Sequence, residues 1–242
     1  DGRYTLVTRM KSFFETESFL VLADRPVRLD MPADASVQGL FRDHLLLSLR
    51  SPWTVADATH PAGALLAVAL DGLLQGDPRP EVLFEPTDTA FLDGAAVTRS
   101  EILITVLDTV RQRLYRLDTG ESGWVREEIE LPGMGRVGVG AWPLEERWIY
   151  TYQDFVTPSS LYLVRGDTSR MLRSEPARFD AAGVEVTQHH AVSADGTRIP
   201  YFLVTPAGFT RDGSAPTLLT GYGGFEASML PRYQPVTGVA WL

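Results

Sequence analysis

From residue 1 to about 183 the chain alternates short apolar runs with polar turns, a pattern that predicts strands and almost no helix. Candidate strands lie at 4–10, 18–23, 44–49, 64–70, 81–84, 95–99, 101–106, 112–116, 124–130, 136–141, 148–152 and 160–165. Most are rich in Val, Ile, Leu, Thr, Tyr or Trp, and many are bounded by Asp-Gly, Thr-Gly, Pro-Gly or Gly-Asp. The Ala and Leu content of 64–70 would also suit a helix. Pro61 and Gly63 before it and Asp71-Gly72 after it favour a strand. A single short helix is expected at 71–76, ahead of Asp77-Pro78.

Many short strands without helices fit a sandwich, a barrel or a propeller. Two segments favour the propeller, 96–131 and 137–166. Each reads as strand, strand, strand, turn within about 45 residues, the period of one blade. Leu117-Asp118-Thr119-Gly120 reads as the turn between a third and a fourth strand. At that period residues 1–183 hold about three to four blades, short of the closed ring that protects propeller edges.

Composition shifts at 173–183, where Ser174-Glu175-Pro176 and Asp180 suit a linker. After it, Val184–Val192, the Asp195-Gly196 turn and 199–205 read as a hairpin. Residues 206–215 read as a loop, 216–220 as a third strand and 236–242 as the start of a fourth. The expected division is therefore 1–183 and 184–242.

Net charge is 22 − 31 = −9, which argues against a nucleic-acid partner, since that needs a basic footprint. The absence of cysteine excludes disulfides, zinc–thiolate sites and a cysteine nucleophile, and leaves cytoplasm and periplasm both open. The longest apolar run, 64–70, is far short of the roughly 20 residues of a membrane-spanning helix. No membrane partner is expected. Asp1-Gly2-Arg3-Tyr4 is neither an initiator Met nor a signal peptide and reads as a turn between strands, so the chain is expected to begin within a fold.

Chemistry concentrates near the carboxyl end. Gly221-Tyr222-Gly223-Gly224-Phe225 follows a predicted strand, the edge at which open α/β sheets bind ligands. A tyrosine on such a turn can aim its hydroxyl at a developing oxyanion. A tight turn with a packed aromatic is the plain alternative. His189 and His190 are neighbours on a predicted strand and face opposite ways, so they make no ligand pair. Neither His44 nor His60 suits a metal or catalytic role, and the scattered Asp residues lack metal-binding spacing. No Gly-x-Ser-x-Gly nucleophile motif occurs.

The carboxyl motifs occur in a telling order: Asp195-Gly196-Thr197-Arg198-Ile199-Pro200, then Asp212-Gly213-Ser214-Ala215-Pro216, then Tyr222-Gly223-Gly224-Phe225. They resemble the prolyl oligopeptidase family of serine peptidases. Asp1-Gly2-Arg3-Tyr4, Ser51-Pro52, Leu117-Asp118-Thr119-Gly120 and Ile149-Tyr150-Thr151-Tyr152-x-x-Phe155-x-x-Pro158 look like counterparts in the same order, so the resemblance spans the chain.

That resemblance implies a mainly β chain in which 1–183 form part of a seven-bladed β-propeller and 184–242 the first strands of an α/β-hydrolase domain. It implies that Tyr222 is an oxyanion donor and Phe225 lines the pocket for a proline ring. The family's Ser, Asp and His triad lies downstream and has no positions here, so the chain alone is expected to be inactive. The implied partners are short proline-containing peptides, with no cofactor and no metal. Open blade edges predict self-association of the 242-residue chain. The first functional reading is a fragment of a serine oligopeptidase that cleaves after proline. The second is a non-catalytic β-propeller binding or structural module.

Overall fold

A computed structural model describes residues 4–13, 15–120, 123–225 and 227–242. The Asp1-Gly2-Arg3 part of the first motif lies outside the described residues. Up to Ser174 the architecture is a series of antiparallel meanders. The first sheet is β1 (Thr5–Met10), β2 (Thr16–Leu22) and β3 (Arg25–Arg28). Next come β4 (Ser36–Phe41) and β5 (His44–Ser48), then a small hairpin of β6 (Trp53–Val55) and β7 (Ala58–His60). They are followed by β8 (Leu65–Ala69), α1 (Leu70–Gln75) and β9 (Glu81–Phe84). The second sheet has the order β4-β5-β8-β9, with the β6-β7 hairpin inserted between its middle strands. The third sheet is β10 (Ala90–Val97), β11 (Ile102–Asp108), β12 (Arg111–Gly120) and β13 (Gly123–Ile129). The fourth is β14 (Arg136–Gly140), β15 (Trp148–Gln153), β16 (Ser160–Arg165) and β17 (Thr168–Ser174).

The sheets stack face to face, as propeller blades do, and three apolar cores lie between them. Successive residues of a strand point to opposite faces, so each middle strand feeds two cores. On β5, Leu45 and Leu47 enter the core shared with the first sheet and Leu46 the core shared with the third. On β8, Leu66 and Val68 face one way, Leu65 and Ala67 the other. On β11, Ile102, Ile104 and Val106 join the second core, while Leu103 joins Leu114, Val137, Trp148, Tyr150, Tyr152 and Val164 in the third. Two-sided burial explains why β8 is uniformly apolar without being a helix. Fully burying each such Leu stabilises the fold by about 1.5–3 kcal/mol. The last strand of a meander has no outer neighbour, and β17 is exposed along its whole length.

Several sequence expectations need correction here. Leu117-Asp118-Thr119-Gly120 is not a turn; it continues β12, paired as far as Gly120↔Gly123. Asp93-Gly94 falls at a bulge within β10. The expected linker at 173–183 starts later, because β17 runs through Ser174. The short helix forms as expected and ends on Gly76 in the left-handed conformation (φ 73°), which glycine adopts without steric cost.

After residues 175–183, β18 (Val184–Val192) and β19 (Arg198–Pro206) form the expected antiparallel hairpin. Its loop closes with Gly196 left-handed (φ 87°) and with Asp195 Oδ1 accepting the Thr197 amide at 3.0 Å. The expected strand at 216–220 pairs with no other strand among the described residues; a strand without a ladder partner is only an extended segment. The expected strand at 236–242 is instead a helix, α2 (Pro235–Trp241). Pro235 occupies its first turn, where proline's fixed φ and missing N–H suit a helix start.

Candidate functional site

The segment bearing Tyr222 and Phe225 is held at both ends and free in the middle. On its amino side, Asp212 Oδ1 accepts the Ser214 amide and hydroxyl at 2.9 and 2.6 Å. Those bonds, the Ser214 hydroxyl first, hold the Asp212 carboxyl below its usual range. On its carboxyl side Tyr233 is an anchor. Its ring stacks on Phe179, with centroids 5.2 Å apart and 9° between the planes. Its hydroxyl accepts the Arg178 amide at 2.8 Å, and its own amide donates to Gln153 Oε1 at 3.2 Å. Helix α2 packs Gly238 directly against Phe179.

Between these anchors residues 221–225 are largely exposed, and the Ala227 amide donates to the Gly224 carbonyl at 3.2 Å. Tyr222 is 55% exposed and Phe225 96%. Phe225 adopts φ 55°, a left-handed conformation uncommon for any residue but glycine. The left-handed position of the turn therefore falls on Phe225 and not on Gly221, Gly223 or Gly224. The phenol of Tyr222 folds back over Gly224. No hydrogen bond holds its hydroxyl among the described residues.

The seam between the third and fourth sheets and the later elements is built from contacts distant in sequence. Gln188 of β18 donates to the Thr109 carbonyl in the β11–β12 turn. Phe155 meets Phe202 of β19 with centroids 5.4 Å apart. Leu230 closes a cleft of about 400 Å³ that is also lined by Asp93, Gln112, Arg136 and Gln153 of β10, β12, β14 and β15. In that cleft the buried Gln112 amide donates to Asp93 at 2.6 Å and accepts the Val137 amide at 2.7 Å, tying the third sheet to the fourth. Sequence reasoning missed Gln153, Gln188, Phe202 and Tyr233, because nothing local marks a residue whose partner lies far along the chain.

The motif from Ile149 to Pro158 has a structural role. Tyr152 is fully buried and donates to Asp154 Oδ2 at 2.7 Å, while Asp154 Oδ1 accepts the Val156 and Thr157 amides at 2.9 and 2.6 Å. Burial, then the bond to Asp154, pushes the Tyr152 phenol far above its usual range. The histidines stand apart. His189 stacks on Tyr201 and its Nε2 lies 2.8 Å from the Thr187 hydroxyl, whereas His44 sits edge-on to Trp124. Among the described residues no group of His, Asp and Glu could hold a metal ion, and no helix is long and apolar enough to cross a membrane.

No family model matches the chain. It is 32% identical over 254 aligned residues to an uncharacterized peptidase of Sinorhizobium fredii, covering 100% of this chain and 35% of the relative. A prolyl endopeptidase of Elizabethkingia miricola is 30% identical over 125 residues, 50% of this chain and 18% of the relative. The solved post-proline cleaving enzyme from Rickettsia typhi superposes with a TM-score of 0.81 at 26% identity, covering 98% of this chain and 36% of that one. The chain belongs to the prolyl oligopeptidase family. It spans about a third of the length of the curated relatives that match all or nearly all of it. The mainly β architecture resembles the propeller region of prolyl oligopeptidases.

Proposed function

We propose that the chain is a section of a serine oligopeptidase that cleaves short peptides after proline. In this reading the stacked sheets are the second half of a seven-bladed propeller, residues 1–183, and residues 184–242 begin the α/β-hydrolase domain. The carrying observation is the turn on which Tyr222 and Phe225 stand three residues apart, exposed and anchored on both sides. The likeness of the whole chain to a peptidase and to a post-proline cleaving enzyme supports it.

In the proposed mechanism a serine supplied outside these residues attacks the carbonyl after proline, with a histidine moving the proton and an aspartate orienting the histidine. Tyr222 donates a hydrogen bond to the oxyanion as it forms, and the Phe225 ring packs on the proline. The stacked sheets restrict entry to small, flexible peptides.

The test is hydrolysis of a proline-containing chromogenic peptide by the full-length protein. Turnover is expected for the full-length protein and none for residues 1–242 alone. In the full-length protein, Tyr222→Phe should lower kcat by about 10²–10³, the cost of one oxyanion donor, with KM changed much less. An unchanged kcat would return Tyr222 to a packing role. Preference for Lys or Arg at the cleaved position would move the assignment to a sister branch of the family, and no hydrolysis would favour a non-catalytic propeller module.

A further inference from the structure

The three glycines of the 221–225 turn are not equivalent. None has a positive φ, so backbone conformation does not demand them. A Cβ built on Gly221 or Gly223 would meet nothing within 4 Å. One built on Gly224 would lie 3.0 Å from the Tyr222 hydroxyl oxygen, 3.1 Å from Cζ and 3.5 Å from Cε1. Gly224 thus leaves room for one particular object, the phenol of Tyr222.

We infer that Gly224 is a positioning residue for Tyr222: its missing side chain is the seat on which the phenol rests, and this contact sets where the hydroxyl points. The inference rests on the oxyanion role given to Tyr222 above. Little else fixes that ring, which is half-exposed and whose hydroxyl has no hydrogen-bond partner among the described residues. A methyl group at 224 is too close by a few tenths of an ångström, and the ring can relieve the contact by swinging toward solvent. Folding stability is then unaffected, but the hydroxyl leaves its place. Such donors work only within about 2.7–3.1 Å of the oxyanion, and a displacement of about 1 Å in an active site costs on the order of 10²-fold.

The test compares Gly224→Ala, Gly223→Ala, Tyr222→Phe and the Tyr222→Phe/Gly224→Ala double variant in the full-length protein, with a proline-containing chromogenic peptide. Gly224→Ala should lower kcat by about 10–100-fold, the range for a displaced reacting group, with KM and the melting temperature unchanged. Gly223→Ala should keep wild-type kcat. The double variant should be no slower than Tyr222→Phe alone, because Gly224 acts only through the hydroxyl. Wild-type kcat in Gly224→Ala, or a double variant slowed by the product of the two single effects, overturns the inference while leaving Tyr222 as donor. Wild-type kcat in Tyr222→Phe overturns both. A fall in melting temperature that accounts for the lost rate in Gly224→Ala overturns positioning in favour of a structural role.

Discussion

Gly238→Ala should loosen the anchor that carries the turn bearing Tyr222 and Phe225, although alanine is the better helix former. A Cβ at 238 would lie 2.1, 2.2 and 2.6 Å from Cδ1, Cε1 and Cγ of Phe179. No rotamer adjustment of a methyl group relieves such an overlap; Phe179 must leave its stack on Tyr233 or the helix must lift away. Overpacking of this kind costs about 1–3 kcal/mol. Losing the stacked pair adds about 0.5–1.5 kcal/mol. The helix-propensity gain from glycine to alanine returns about 1 kcal/mol. The net expectation is a destabilisation of about 0.5–3.5 kcal/mol, local to the anchor. Native-state hydrogen exchange at the residue 238 amide, which donates to the Gln234 carbonyl at 2.9 Å, reads this directly. Protection should fall by about 2–400-fold, given 1.36 kcal/mol per decade. Combining Gly238→Ala with Phe179→Ala should restore part of the protection, because the methyl then occupies vacated space. Equal or greater protection in Gly238→Ala alone would show that the propensity gain wins and that the Phe179–Tyr233–Gly238 packing does not hold the segment.

Three further outcomes follow from other parts of the chain. Thr109 and Val110 both take left-handed φ values (50° and 57°) in the two-residue β11–β12 turn, an arrangement strained for β-branched residues by about 1–3 kcal/mol each, so Val110→Gly should raise the denaturant midpoint; a lower midpoint would show that the turn is not strained. The amide and hydroxyl bonds to Asp195, the Thr197 amide first, hold its carboxyl below the ordinary range; the folded pKa is depressed, so the hairpin turn keeps this support above the ordinary aspartate value of about 4 and loses it as pH falls through the lower folded value. The Thr197 amide resonance should report that titration, and a midpoint at or above the ordinary value would contradict it. Residues 1–242 alone should self-associate in sedimentation, since Val7 and Met10 on the first sheet and Met171 and Leu172 on the fourth are exposed; a compact monomer at micromolar concentration would refute this.

The buried interior was legible in the sequence and its rim was not. Strands such as β5, β8 and β11 are buried on both faces, so their residues are apolar throughout and the strands announce themselves. The missed strands lack that signal. β17 is an outer strand with no buried face, and its residues are mostly polar. β3, β6 and β7 escaped because the hairpin turns beside them are Ala23-Asp24 and Ala56-Asp57, left-handed at both residues without a glycine, so the usual Asn-Gly or Asp-Gly mark is missing. The run at 236–242 reads in sequence as the start of a fourth strand. Pro235 at the helix start and the seat of Gly238 on Phe179 decide for a helix, and the second is a tertiary contact invisible in sequence. The two candidate residues were legible together because one turn carries both. Their anchors were not, since 153 with 233, 155 with 202 and 109 with 188 are pairs made only by folding.

The arrangement separates two properties of the candidate site. Where the turn sits is decided at the seam, by the aromatic stack of Phe179 and Tyr233, by Leu230 in the cleft and by the hairpin contacts of Gln188 and Phe202. Beneath that seam the third and fourth sheets are joined by more than packing. Gln112 bridges them, and Arg116 of β12 pairs with Glu101 and Glu127 in its own sheet and with Asp167 beyond β16. Burial lifts the Glu101 carboxyl despite Arg116, so that part of the network is formed at some desolvation cost. How Tyr222 points is decided at the tip, where its phenol rests over Gly224 and its hydroxyl has no hydrogen-bond partner among the described residues. Changes at the seam should therefore move substrate binding and turnover together, because they displace both turn residues as a body. Changes at 224 should move turnover alone, and the ratio of the two effects distinguishes a displaced turn from a misdirected hydroxyl.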